Sequence, residues 1–321
     1  MVLKPPRRAP LQGSTRQGGE GDGRAPAEDQ RDAVGGGAVT EGKRKLTIVK
    51  APSPILVRRR TTKPRARVVP ADEFGLDPEF RKRAMPYFQA LYEKYWRVDA
   101  RGARHVPKSG PVILVSNHSG ALPFDATMIA CALEEARYPR PPRFLYDRFV
   151  EDLPWIPGFY KKAGGVLASH ENAVRLLEKR ELIGLFPEGV SGLSKLYSER
   201  YVLQPFSGGF IRLAMRFGAP IVPVAVVGAE EIYPLVGRLR GLGKLLGAPY
   251  LPVTPFFPLL GPLGLIPLPT KWRIRFGKPI VLAPTSYPRL DGTAVRVMAE
   301  QVRRRVQTMV RALLRERDSV F

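Results

Sequence analysis

Two short stretches bring together side-chain types that can do acid–base chemistry. Ser116-Asn117-His118-Ser119-Gly120 follows directly on the apolar run Val112–Val115, and Asp125 stands seven residues after His118. A histidine at the C-terminal end of a buried strand lies where layered α/β proteins build their sites. A carboxylate at the start of the next helix can hydrogen-bond one imidazole nitrogen, fix the tautomer and leave the other as a general base. Taken alone, a histidine at a strand end is more often structural than catalytic. The second stretch is Gly184-Leu185-Phe186-Pro187-Glu188-Gly189. Glu188, coming straight after an apolar strand, must find partners if it is buried, and Gly189 lets the backbone approach whatever is bound there. A third stretch, Gly218-Ala219-Pro220-Ile221-Val222-Pro223-Val224, reads as a strand bracketed by prolines.

The elements that must position these residues alternate along the chain. Val112–Val115, Arg143–Tyr146, Gly165–Leu167, Leu182–Phe186 and Ile221–Val227 read as strands; Asp125–Glu135, Glu171–Lys179 and Gly209–Phe217 read as helices. Strand, helix, strand at these lengths argues for an α/β layered sheet flanked by helices rather than an all-β fold. Ahead of them, Asp77-Pro78 makes a helix start. Phe80, Ala84, Phe88, Leu91, Tyr95 and Trp96 then form an aromatic face beside Arg81, Lys82 and Arg83, with Pro86 expected to interrupt the helix. That face packs on the protein's own core or, as the alternative, meets a membrane interface. Val295, Met298, Val302, Val306, Met309 and Leu313 mark a basic amphipathic helix near the end. No internal repeat is visible.

The chain has 321 residues, 44% of them hydrophobic, enough for a substantial core. Lys and Arg number 52 against 29 Asp and Glu, a formal charge of +23. Such a surface seeks anions: nucleic acid, an acidic lipid surface, or a phosphorylated or CoA-linked molecule. A single cysteine, Cys131, and three histidines exclude an internal disulfide framework and a Cys/His zinc cluster. The composition also excludes collagen-like, mucin-like and multi-pass membrane classes. Residues 1–70, Gly- and Pro-rich with almost no aromatics, are expected to be a disordered basic tail, and 71–321 the folded domain. The tail lacks the apolar stretch of a secretory signal. Its Arg58-Arg59-Arg60 cluster is a solvated run or a contact for nucleic acid or anionic lipid. Without interleaved aromatics or a recognition helix, no specific nucleic-acid partner is expected.

Residues 245–270 stand apart. They carry no charge, yet contain Pro249, Pro252, Pro255, Pro258, Pro262, Pro267 and Pro269. A membrane-spanning helix does not accept that many prolines, because each removes a donor and blocks the preceding turn. The segment is therefore an irregular cover over the core, or an apolar loop dipping into one leaflet with Phe256, Phe257, Leu259, Leu260 and Leu263.

In order and spacing, Asn117-His118 with Asp125, Phe186-Pro187-Glu188-Gly189 and the Val222-Pro223-Val224 strand resemble the glycerolipid acyltransferases, the family of the bacterial 1-acyl-glycerol-3-phosphate acyltransferases. The likeness runs from about residue 75 to 315. It implies an O-acyltransferase that moves a fatty acyl group from acyl-CoA or acyl carrier protein to a hydroxyl of lysophosphatidic acid or another lysophospholipid. His118 would be the base and Asp125 its partner, with no metal or redox cofactor. Asn117, Ser119, Gly120, Phe186, Pro187, Glu188 and Gly189 would hold the acceptor. The resemblance also implies a membrane-associated enzyme, peripheral or monotopic, on the cytoplasmic face, with an anionic membrane surface as partner.

Two departures from the family pattern matter. Six residues rather than four separate His118 from Asp125, Leu122-Pro123 among them; and the second block, Gly164-Gly165-Val166-Leu167-Ala168-Ser169, lacks its arginine, as does Val190-Ser191-Gly192 after Gly189. Lys161, Lys162, Lys195 and Arg200 are the candidate replacements for a phosphate partner. Otherwise the acceptor is neutral, a diacylglycerol, a monoacylglycerol or a fatty alcohol, and a non-catalytic lipid-binding relative is the remaining reading.

Overall fold

The computed structural model describes residues 71–119, 124–153, 155–245, 248–282 and 291–321. The tail 1–70, Gly120 and the Leu122-Pro123 insertion lie outside the described residues. Seven strands form one sheet: β1 (Asp99–Arg101), β2 (Val112–Ser116), β3 (Arg143–Tyr146), β4 (Val166–Leu167), β5 (Leu182–Leu185), β6 (Ile221–Val227) and β9 (Arg273–Phe276), in the order β1-β9-β6-β2-β5-β3-β4. The remaining pair, β7 (Gly237–Leu239) and β8 (Leu251–Val253), makes a separate antiparallel hairpin.

β2 sits at the centre, parallel to β5 through Val112↔Leu182 and to β6 through Ile113↔Ile221. All five of its residues are buried, as expected of a parallel strand covered on both faces. Val112 and Leu114 point into a cluster with Met128, Ile129 and Leu133 of α2 (Phe124–Glu135) and with Trp96 and Trp272. Ile113 and Val115 point the other way. There they meet Leu176 and Leu177 of α4 (His170–Glu178), Ile211 and Ala214 of α6 (Gly209–Phe217) and Val302 of α8 (Gly292–Glu316). The period-2 alternation of one strand thus separates two helical layers. β9 reverses direction and pairs antiparallel with β6 through Val227↔Arg273 and Val224↔Phe276, and β1 follows it in parallel.

The helix α1 (Pro78–Ala90) starts where expected, with the Asp77 carboxylate accepting from the N–H groups of Glu79 and Phe80, each at 3.0 Å. Pro86 does not interrupt it. Its ring lies on the exposed side, where water serves the carbonyl left without a donor. The helix widens only afterwards, into a π turn over Leu91–Tyr95. That turn swings Tyr92 and Trp96 into the core, where Trp96 stacks on Trp272 with ring centroids 5.0 Å apart. Cys131 is fully buried in α2, and burial pushes its thiol pKa up to about 12.

Gly184 is the point where β5 lets β3 close against it, since a Cβ there would overlap the Phe144 ring. Gly184→Ala should cost about 1–3 kcal/mol in denaturant unfolding through overpacking. It should also lower activity, because Phe144 backs the wall of the site described next.

Candidate active site

The parallel strands β2, β5 and β6 end at the same edge of the sheet, and the chain leaves each of them through a functional stretch. After β2, Asn117 is fully buried, and its amide spans the backbone of Val226: Nδ2 donates to the carbonyl at 2.9 Å and Oδ1 accepts from the N–H at 2.9 Å. Asn117 therefore prolongs the β2–β6 pairing by one residue with its side chain. Its amide is engaged there with the backbone.

His118 comes next with its backbone fixed. Its N–H donates to Glu188 Oε1 at 2.9 Å, and its Nδ1 lies 2.7 Å from Asp125 Oδ2. Asp125 is 0% exposed and its carboxylate also accepts from the Ser119 N–H at 3.1 Å and the Ala126 N–H at 2.8 Å. Nδ1 of the imidazole thus faces the carboxylate, and Nε2 is the ring nitrogen turned away from it. The six-residue spacing is accommodated: Asp125 still reaches the imidazole from the first turn of α2. Ser119, expected at the acceptor, instead donates to Asp125. The ring of Phe186 stacks on the imidazole, centroids 4.2 Å apart and planes 17° off parallel, and Phe144 stacks behind Phe186 at 5.7 Å. Tyr160 of α3 (Ile156–Ala163) packs edge-on against Tyr146 at 5.3 Å. Burial, and then the nearby Asp125 charge, raise its phenol pKa.

Glu188 is likewise engaged within the protein. Both its oxygens are in use: Oε1 holds His118 N–H, while Oε2 takes the Gln204 N–H at 2.7 Å and lies 3.4 Å from Lys195 Nζ. It fixes the backbone on which the imidazole stands. Pro187 gives its carbonyl to the Ser207 N–H. Gly189 adopts φ 55° and ψ −145°, a backbone glycine alone tolerates, and faces open space. It opens the short helix α5 (Val190–Leu193). There Gly192 packs so closely that a Cβ would meet Glu188 and lie 3.0 Å from the His118 Cβ.

The lysines divide. Lys161 is paired with Glu151 at 2.9 Å, and Lys162 lies over the Phe80 ring at 5.7 Å. Lys195 is buried between Glu230 at 2.9 Å and Glu188 at 3.4 Å. It is paired with both of those carboxylates. Burial alone would lower the Lys195 pKa, but Glu230 and Glu188 more than offset it and the net direction is upward. Burial raises the Glu230 pKa, with Lys195 opposing in part. One ammonium between two carboxylates leaves surplus negative charge, and Glu230 is where the ionised form is least favoured.

Glu230 also receives the Tyr201 N–H at 2.9 Å, and Gln307 of α8 clamps the same segment through Leu203 N–H and Tyr201 C=O. None of Glu230, Tyr201, Gln204 and Gln307 was singled out from sequence. The one signal available was a Glu-Glu pair closely following an apolar strand. Of the other histidines, His105 is structural, its Nδ1 2.9 Å from the Phe276 carbonyl oxygen.

A sequence model of the acyltransferase family matches residues 97–227. An uncharacterized protein of Mycobacterium tuberculosis is 42% identical over 254 residues, 78% of this chain and 71% of its own. The chain belongs to the acyltransferase family. The acyltransferase is also similar to phytyl ester synthase 2, chloroplastic, of Arabidopsis thaliana, 32% identical over 145 residues, 42% of this chain and 20% of that protein. It is 29% identical over 143 residues to human 1-acyl-sn-glycerol-3-phosphate acyltransferase alpha, 43% of this chain and 48% of that one. Among solved structures, the 1-acyl-sn-glycerophosphate (LPA) acyltransferase PlsC from Thermotoga maritima aligns at TM-score 0.48 and 18% identity, over 74% of this chain and 83% of that one.

In this acyltransferase Lys195→Met should destabilise by about 3–5 kcal/mol in urea unfolding, because it strands two buried carboxylates. Adding Glu230→Gln should recover part of the loss by removing one of the stranded charges.

Proposed function

We propose that this acyltransferase moves a fatty acyl group from a thioester, acyl-CoA or acyl carrier protein, to a lipid hydroxyl, with His118 as general base. The observation that carries the reading is the His118 Nδ1–Asp125 contact of 2.7 Å, to a fully buried and separately oriented carboxylate. A substrate hydroxyl would give its proton to Nε2 as its oxygen bonds to the thioester carbonyl carbon. Asp125 would stabilise the imidazolium so formed. Collapse of the tetrahedral intermediate breaks the C–S bond, and the same proton passes to the departing thiolate, so an ester and a free thiol result. Every proton is accounted for on the protein's own groups, and no metal or redox cofactor enters this scheme.

The acceptor class we propose is a glycerolipid, lysophosphatidic acid or another lysophospholipid, in keeping with the names of the relatives. One observation favours a second reading, a neutral acceptor such as a diacylglycerol or a fatty alcohol. Lys195 is buried and already paired with two carboxylates, so a phosphate would have to compete with both for it.

The test is acyl transfer from a labelled long-chain acyl-CoA, and from acyl carrier protein, to each of these acceptors in parallel. His118→Ala should lower kcat by about 10²–10⁴-fold, the range of a lost general base. Asp125→Asn should cost a comparable factor through the wrong tautomer. Unchanged kcat in either variant would reject the mechanism; product from neutral acceptors alone would select the second reading.

A further inference from the structure

The segment after β8 is folded in a way that a water-facing loop does not require. Its stem is the hairpin β7–β8, extended by the Val236 N–H donating to the Val253 carbonyl at 2.8 Å. At the turn, the buried Thr254 hydroxyl accepts from the Phe257 N–H at 2.9 Å, and the Phe257 carbonyl takes the Thr254 N–H at 2.8 Å. The carbonyls of Phe256, Pro258 and Leu263 accept from Leu260, Gly261 and Ile266. On the return, side chains from the body of the protein take over: Tyr233 donates to the Leu265 carbonyl, Tyr95 to Pro267, Trp96 to Leu268 and the exposed Arg97 to Pro269. Pro255, Pro258, Pro262, Pro267 and Pro269 have no N–H to satisfy. Gly264 packs directly on the Phe256 backbone, so the loop is closed on itself.

The side chains do the opposite. Leu259 is 82% exposed, Leu263 69% and Ile266 59%, with Leu260, Leu265 and Phe256 also open to solvent. A backbone largely paired within the protein beneath an apolar, uncharged tip suits a hydrocarbon medium better than water. Charge at the base completes the pattern. There is no Asp or Glu anywhere between Glu231 and Asp291, while Arg97, Arg238 and Arg240 flank the stem. Among the described residues no helix is long and apolar enough to cross a membrane.

We propose that residues 255–266 insert into the hydrocarbon of one leaflet of an anionic bilayer, with Arg97, Arg238 and Arg240 against the headgroups. The proposal holds whichever hydroxyl the enzyme acylates, and its test reads binding alone, so a failure of the acyl-transfer assays leaves it standing. The full chain is floated with vesicles of phosphatidylcholine containing a quarter of phosphatidylglycerol, beside the double variant Leu259→Asp/Leu263→Asp. Both side chains are exposed, so the variant should keep the wild-type far-ultraviolet spectrum and melting temperature. Both proteins carry the basic residues 1–70, and repeating the flotation at high salt suppresses what that tail contributes. The variant should bind at least about 10-fold more weakly, and the gap should persist at high salt.

A second variant reads depth. Because Cys131 is buried with an unreactive thiol, Leu263→Cys can be labelled selectively with an environment-sensitive fluorophore. Its emission should shift to the blue on adding vesicles and be quenched by spin labels set shallow in the acyl chains. Equal flotation of wild type and double variant, or a label that stays in water, overturns the proposal. Wild-type self-association lost in the double variant, with vesicle binding unchanged, would overturn it in favour of a second copy of this chain.

Discussion

A carboxylate as deeply buried as Glu188 has to be surrounded by donors, and the ones it finds organise the whole site. Its two oxygens are shared among the His118 N–H, the Gln204 N–H and the Lys195 ammonium. The first ties the end of β5 to the end of β2 and sets the imidazole above the sheet. The second draws in the segment that runs on to α6. The third brings in a further anion, because Glu230, from beyond β6, also takes the Lys195 ammonium at 2.9 Å. Three strand ends are thereby joined by a single network of buried polar groups, and the placing of His118 beside Asp125 depends on that network as much as on their own contact.

The same economy explains how residues 201–204 are held without regular secondary structure. Glu230 takes the Tyr201 N–H, Gln307 takes its carbonyl and the Leu203 N–H, and Glu188 takes the Gln204 N–H. Side chains from three distant parts of the sequence meet backbone demands that a strand partner would otherwise meet. The arrangement also fixes α8 relative to the site, since Gln307 sits in its middle.

How much of this could be read beforehand follows from the range of each interaction. The strands β2, β3 and β6 and the helix α6 were legible, because continuous apolar runs and helical periodicity are local signals. So was the approach of Asp125 to His118, which depends on one turn. Asn117 and Glu188 were legible as unusual residues but not in their roles, because their partners lie at Val226 and at Lys195 and Gln204, and no spacing rule connects them. β9 was overlooked although Trp272, Ile274 and Phe276 alternate with Arg273 and Arg275; the reading favoured uninterrupted apolar runs, whereas this strand is solvated along one side. α3 begins Ile156-Pro157-Gly158 and is too short for periodicity to show. Pro86 illustrates the converse, a sound local rule overridden because the affected carbonyl faces water.

The reversal of β9 has a further consequence. The two feet of the excursion between β6 and β9, Val227 and Arg273, are register partners in the sheet. The chain thus leaves and returns at one point of a scaffold that is already closed, and lengthening the path between them adds little closure entropy. Glu230 and Glu231 belong to the scaffold, being buried and paired with Lys195 and Arg317. Everything from Pro234 to Ile266 is, in mechanical terms, a cassette. Its length and composition can vary while the sheet that holds His118, Asp125 and Glu188 keeps its register.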